Sequence, residues 1–219
     1  MDPGRVVHIL RQVSQSLEEA HRLGMVHRDI KPRNILLGKL GLEYDFAKVL
    51  DFGLVKTLHN EDPERTATTM DGVTTGTPAY LSPEAALCSP HIDGRADLYS
   101  LGCTAYFLLT GCNVFDARTP TACAMAHVQS PPPPMRERCD LPVPAELEAI
   151  VMRLLEKDPA NRIQSAQGLA RSLRALTNLC EWSPEQAEQW WETNLPRLAV
   201  PVPVEEEAAL TVTAQVVHA

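Results

Sequence analysis

The chain has 219 residues, 44% of them hydrophobic and 22% charged, with a net charge of −8. That length suits one domain with a short appendage, and that composition excludes a fully disordered chain. An acidic chain without a basic block also argues against general nucleic-acid binding.

Asp2 and Pro3 open the first predicted helix as N-cap and first helical residue. Val6, Ile9, Val13, Leu17 and Ala20 share one face, and Gly24 is a natural stop. Residues 26–33 read as a loop. Residues 35–37 and 47–50 are short apolar runs, expected as two strands joined by a loop around Gly38, Gly41 and Tyr44-Asp45. Residues 57–80 have no periodicity and are expected as one long loop, a feature that is usually functional inside a compact domain. Helices are expected over 96–110, 119–128, 145–156 and 165–176, with the prolines at 131–134 extended. The uncharged stretch 98–115 holds Ser100, Thr104, Thr110, Gly111 and Asn113, which marks a buried core helix rather than a membrane span.

Ser183-Pro184-Glu185-Gln186 has the form of a capping box and opens a short helix carrying Trp190 and Trp191. All three tryptophans lie in this stretch, which suits a helix docked over an apolar patch. Seven glutamates and one arginine fall in residues 181–219, and the end from residue 196 is expected to be a disordered tail. Six cysteines show no CxxC pair, which argues against a zinc ribbon and suits buried thiols in a reducing, cytoplasmic setting. The charged N-terminus lacks the apolar core of a signal peptide.

The sharpest motif is His27-Arg28-Asp29-Ile30-Lys31-Pro32-Arg33-Asn34. Seventeen residues after Asn34 stands Asp51-Phe52-Gly53, and thirty after Phe52 stands Ser82-Pro83-Glu84. Together they resemble the catalytic half of protein kinases, whose ordered signatures are HRD…N, DFG and APE. Leu42-Glu43-Tyr44-Asp45-Phe46 before Lys48-Val49-Leu50-Asp51-Phe52-Gly53 is similar to the eukaryotic-like Ser/Thr kinases of bacteria. The resemblance covers roughly residues 3–176. It implies an α-rich α+β fold: a protein-kinase-like C-lobe with small β-hairpin elements and a long activation loop. The expected organisation is a C-lobe over 1–176, a helical appendage over 177–195 and a tail over 196–219.

The resemblance also implies roles. Asp29 would accept the proton of a substrate hydroxyl, and Lys31 would neutralise charge on the transferring phosphoryl group. Asn34 and Asp51 would hold Mg²⁺, and Leu36 would touch the adenine of ATP. Lys31 and Thr77, the latter in Gly76-Thr77-Pro78-Ala79-Tyr80, point to a protein substrate with a Ser or Thr acceptor. His27 and Phe52 would pack in an apolar column beneath the site. Asp97 would hold the backbone of the Asp29 loop, and Glu84 would pair with Arg162. Arg28 would grip a phosphate placed on Thr66, Thr68, Thr69, Thr74 or Thr75.

The departures are as informative. Only 26 residues precede His27, residues 1–30 contain no lysine, and no two glycines stand at spacing two, so GxGxxG is absent. The expectation is a truncated kinase, a C-lobe without its N-lobe, inactive as it stands and completed by an N-lobe or a kinase partner. Two alternatives stay open. One is a non-catalytic docking module. The other is a small-molecule kinase of similar fold, against which Thr77-Pro78-Ala79-Tyr80 and Ser82-Pro83-Glu84 speak.

Overall fold

Asp2 starts the fold by capping: its Oδ1 accepts the N–H groups of Gly4 and Arg5 at 2.8 and 3.2 Å, with Pro3 in the first helical position. Helix α1 (Pro3–Arg22) follows, burying Val6, Ile9, Leu10, Val13 and Leu17. This computed structural model describes residues 1–50, 56–57, 78–139, 142–176 and 180–198. Among the expected site residues, Asp51, Phe52, Thr66, Thr68, Thr69, Thr74, Thr75 and Thr77 lie outside the described residues, as does most of the expected long loop.

After α1, strand β1 (Met25–Val26) pairs antiparallel with a later strand over Lys56–Thr57. Val26 therefore lies in a strand rather than in the expected loop, because a two-residue strand carries no periodicity. Strands β2 (Ile35–Leu40) and β3 (Glu43–Val49) form an antiparallel hairpin, with Ile35 opposite Val49 and Leu40 opposite Glu43. Both strands run longer than the expected 35–37 and 47–50. The outer half of the ladder is held by backbone pairing, with a register shift between Gly38 and Leu40, and its side chains show no clean apolar alternation. The turn is only Gly41-Leu42, and Gly41 takes a left-handed φ of 60°. Asp45, expected in a loop, lies within β3. Lys56–Thr57 is β4.

The remaining elements are helical: α2 (Pro83–Ala86), α3 (Gly94–Thr110), α4 (Pro120–Gln129), α5 (Ala145–Leu154), α6 (Ala166–Arg174) and α7 (Pro184–Leu198). Ser82, Asp93, Thr119 and Ser165 cap α2, α3, α4 and α6 with their side chains. The box at α7 closes reciprocally: Ser183 N–H donates to Gln186 Oε1 at 2.7 Å, and Gln186 N–H to Ser183 Oγ at 3.2 Å. Helix α7 reaches Leu198, past the expected limit of the appendage at residue 195. No helix among the described residues is long and apolar enough to cross a membrane.

Helix α3 is the centre. Leu98, Tyr99, Leu101, Ala105 and Tyr106 are fully buried on several of its faces, as befits a helix surrounded by others. Gly102 lets α5 approach, since a Cβ there would stand 2.7 Å from Leu154 Cβ. The core joins α1, α3, α5, α6 and the inner half of the hairpin. All six cysteines are free, but Cys88 and Cys112 are exposed, contrary to the expectation of buried thiols. Both sit in polar turns after helices, where neither packs against the core.

Glu84 and Arg162 join α2 to the core. Arg162 Nη1 and Nη2 donate to the two Glu84 oxygens at 2.6 and 2.7 Å. Its remaining hydrogens go to the carbonyls of Arg95, Glu156 and Lys157, so a fully buried guanidinium is saturated. Glu84→Ala should cost about 3–5 kcal/mol, because it leaves a buried charge without its counter-ion. Urea unfolding of the variant measures this; a loss below about 1 kcal/mol would show that the pair is not structurally important.

Candidate functional site

Residues 27–34 form a tight loop between β1 and β2. Arg28 is left-handed, with φ 67°, an uncommon conformation for a residue with a Cβ. It is held by one carboxylate: Asp97 accepts the N–H of His27 through Oδ2 and that of Arg28 through Oδ1, each at 2.8 Å. His21 Nε2 completes the set, 2.8 Å from Asp97 Oδ2. Gly94 gives His21 room, as a Cβ there would meet the imidazole at 2.6 Å.

The loop then turns back on itself. The Asp29 N–H donates to His27 Nδ1 at 3.2 Å, while His27 Nε2 lies 2.8 Å from the carbonyl of Leu50. Lys31 Nζ stands 2.8 Å from Asp29 Oδ2. Asn34 Nδ2 donates to the same Oδ2 at 2.9 Å and to the Asp29 carbonyl at 2.7 Å. Pro32–Asn34 is a single 3-10 turn, which brings Asn34 back beside Asp29. The Leu50 N–H donates to the Asn34 carbonyl at 2.8 Å, tying the start of β2 to the end of β3.

Asp29, Lys31 and Asn34 are therefore one cluster, and His27, Arg28 and Asp97 are its frame. Leu36 is half-buried on β2, and Glu84 and Arg162 form a separate pair below α2. Arg28 is exposed. Two contributors were not foreseen. His21 stands in no motif, and its place six residues before His27 on an amphipathic helix is the one available signal. Leu50 acts through its backbone, which carries no sequence signal at all.

A family model described as the protein kinase domain matches residues 1–173. The chain belongs to the protein kinase domain family. Within it the chain is of the eukaryotic-like bacterial Ser/Thr type. It is 41% identical over 177 residues to the serine/threonine-protein kinase pkn3 of Myxococcus xanthus, covering 80% of this chain and 32% of that protein. It is 42% identical over 171 residues to Pkn1 of the same organism, covering 78% and 24%. It is 39% identical over 172 residues to PknB of Mycolicibacterium smegmatis, covering 78% and 26%. The chain thus spans a third or less of the length of these curated relatives.

In this kinase domain the 3-10 turn Pro78–Tyr80 sits over a second polar cluster. Ser100 Oγ donates to the Tyr80 carbonyl at 2.7 Å. Nearby, Tyr99 Oη lies 2.9 Å from His127 Nδ1, and Lys157 Nζ donates to the His127 carbonyl at 2.8 Å. His127 also meets Phe115 edge-on, with ring centroids 4.9 Å apart. Burial, and then the Lys157 ammonium, push the His127 imidazole down from 6.5 to about 4.

The sign follows from linkage. Between those two values the unfolded chain binds a proton that the folded chain refuses, so stability falls as pH drops from 6.5 towards 4. The full loss from this group is on the order of 3 kcal/mol. Denaturation midpoints of the parent and of His127→Phe, measured across this window, should converge as the pH falls. Parallel curves would show that His127 does not carry the acid sensitivity.

Proposed function

We propose that this chain forms the C-lobe of a protein Ser/Thr kinase, which transfers the γ-phosphate of ATP to a protein hydroxyl with Mg²⁺. The observation that carries the reading is the convergence of Lys31 Nζ and Asn34 Nδ2 on Asp29 Oδ2 at 2.8 and 2.9 Å. Phosphoryl transfer needs positioning and charge neutralisation more than covalent chemistry. A carboxylate oriented by two donors, yet still partly open to solvent, suits the acceptance of a proton from an incoming hydroxyl. Lys31, beside that carboxylate, would neutralise charge on the transferring phosphoryl group.

The donor chemistry fits a hard cation. Asn34 Nδ2 spends its hydrogens on Asp29, which leaves Oδ1 as the amide atom able to ligate metal. Asp51, directly after Leu50, would add a carboxylate. When bound, Mg²⁺ and ATP supply phosphate-charge neutralisation and the phosphoryl group. Leu36 would lie against the adenine. Arg28, exposed on its strained backbone, would hold a phosphate on Thr66, Thr68, Thr69, Thr74 or Thr75.

We assign the surface above the hairpin to an N-lobe, from the same polypeptide or from a partner kinase. Leu42 is 91% exposed and Leu40 57%, and apolar side chains grouped in this way mark a surface made for contact. Six free thiols suit the reducing cytoplasm, where ATP is present.

The test joins an N-lobe to this chain and measures transfer of labelled phosphate to a protein substrate. Asp29→Asn should lower kcat at least about a hundred-fold, because it removes a proton acceptor rather than a packing group. The melting temperature should hardly move. A folded Asp29→Asn protein with parental rates would refute the assignment and favour a docking module.

A further inference from the structure

A second carboxylate is more heavily engaged than Asp29 and has no part in the phosphoryl site. Asp45 in β3 is fully buried, with a left-handed φ of 56°. It accepts four side-chain N–H groups. Arg5 Nε and Nη2 donate at 2.9 and 2.6 Å, Trp182 Nε1 at 2.9 Å and Trp191 Nε1 at 2.8 Å. Gln12 holds the same backbone from the other side, donating to the Asp45 carbonyl at 2.8 Å and accepting the Ala47 N–H at 3.0 Å. The Arg5 guanidinium lies 3.4 Å from the centre of the Trp190 ring. Gly4 admits this segment closely, because a Cβ there would collide with the Glu181 carbonyl.

These contacts come from two sources. Arg5 and Gln12 belong to α1, whereas Trp182, Trp190 and Trp191 belong to the 180–198 segment. Trp182 and Trp191 each spend the single indole N–H on this one carboxylate, so the segment is located by direction as well as by apolar contact. A buried ion pair adds little net stability compared with apolar packing, but it demands one geometry. What that geometry holds is β3. Directly after that strand, next to Val49, comes Leu50, whose N–H bonds the Asn34 carbonyl and whose carbonyl receives His27 Nε2.

We propose that Asp45 is a positioning residue, and that residues 180–198 clamp the β2–β3 hairpin so that Leu50 keeps its two bonds to the His27–Asn34 loop. The kinase reading enters only where activity is measured. The clamp itself is tested on the 219-residue chain by amide hydrogen exchange. Trp191→Phe removes one donor to Asp45. Gly4→Ala favours α1 itself but collides with the docked segment. Asp45→Asn is the stronger change, and the two milder variants keep the test valid if it fails to fold.

In Trp191→Phe and Gly4→Ala, the Leu50 amide should exchange at least about ten-fold faster, while the α5 amides of Val151 and Leu154 keep their protection. Unchanged Leu50 exchange in both variants would overturn the proposal. Equal acceleration at Leu50 and in α5 would also overturn it, since that is global loosening. In a kinase completed by an N-lobe, the same variants should lower kcat and leave the KM for ATP in place. If the completed parent shows no transfer, the kinase reading falls while the exchange result stands on its own.

Discussion

One buried carboxylate carries the geometry of the site. Asp97 lies in the first turn of α3, where the helix N-terminus favours negative charge. Its two oxygens take the amides of consecutive residues, His27 and Arg28, and so fix the plane of the peptide between them. That grip sustains a left-handed arginine, a conformation that costs on the order of 1–3 kcal/mol. Once the peptide is fixed, the direction in which Asp29 leaves the loop follows. So do the reach of Lys31 and the return of Asn34. His27 passes the same constraint on to the end of β3 through the Leu50 carbonyl.

Asp45 and Glu84 repeat the device elsewhere. Each is a carboxylate at a junction between elements, and each meets an arginine through two hydrogen bonds. Apolar burial holds α1, α3, α5 and α6 together, but it has no preferred direction. Charge-assisted hydrogen bonds are directional. The fold therefore uses packing to gather its helices and carboxylates to set where loops and hairpins stand against them. The buried middle of α3 is mostly apolar, and the hydroxyls of Ser100 and Thr104 within it are satisfied by carbonyls one turn back.

The helices were legible because their signals are local. Asp2-Pro3, Ser165 and Ser183-Pro184-Glu185-Gln186 announce their helix starts within four residues, and each cap forms. The spacing of Asp29, Lys31 and Asn34 is enough to put three side chains in one loop. The hairpin was legible only in its inner half. Beyond Gly38 the pairing rests on backbone bonds, and Lys39, Leu40, Leu42 and Glu43 face solvent without a pattern. The Asp45 cluster was hidden for a different reason. Nothing near Asp45 in sequence says that an arginine forty residues before it and two indoles more than 130 residues after it will converge there.

Those separations give the hairpin a history during synthesis. Arg5 is already made when Asp45 leaves the ribosome, but Trp191 follows Asp45 by 146 positions. At common elongation rates that interval lasts roughly ten seconds or more. Throughout it the carboxylate has its cation but not its indole donors, and the Arg5 guanidinium has no aromatic cover. The inner ladder and the α1 contacts can assemble early, whereas the buried state of the ion pair must wait for the end of the domain. Completion of this domain thus waits for the last of its helices to be made, and its timing is set by two tryptophans.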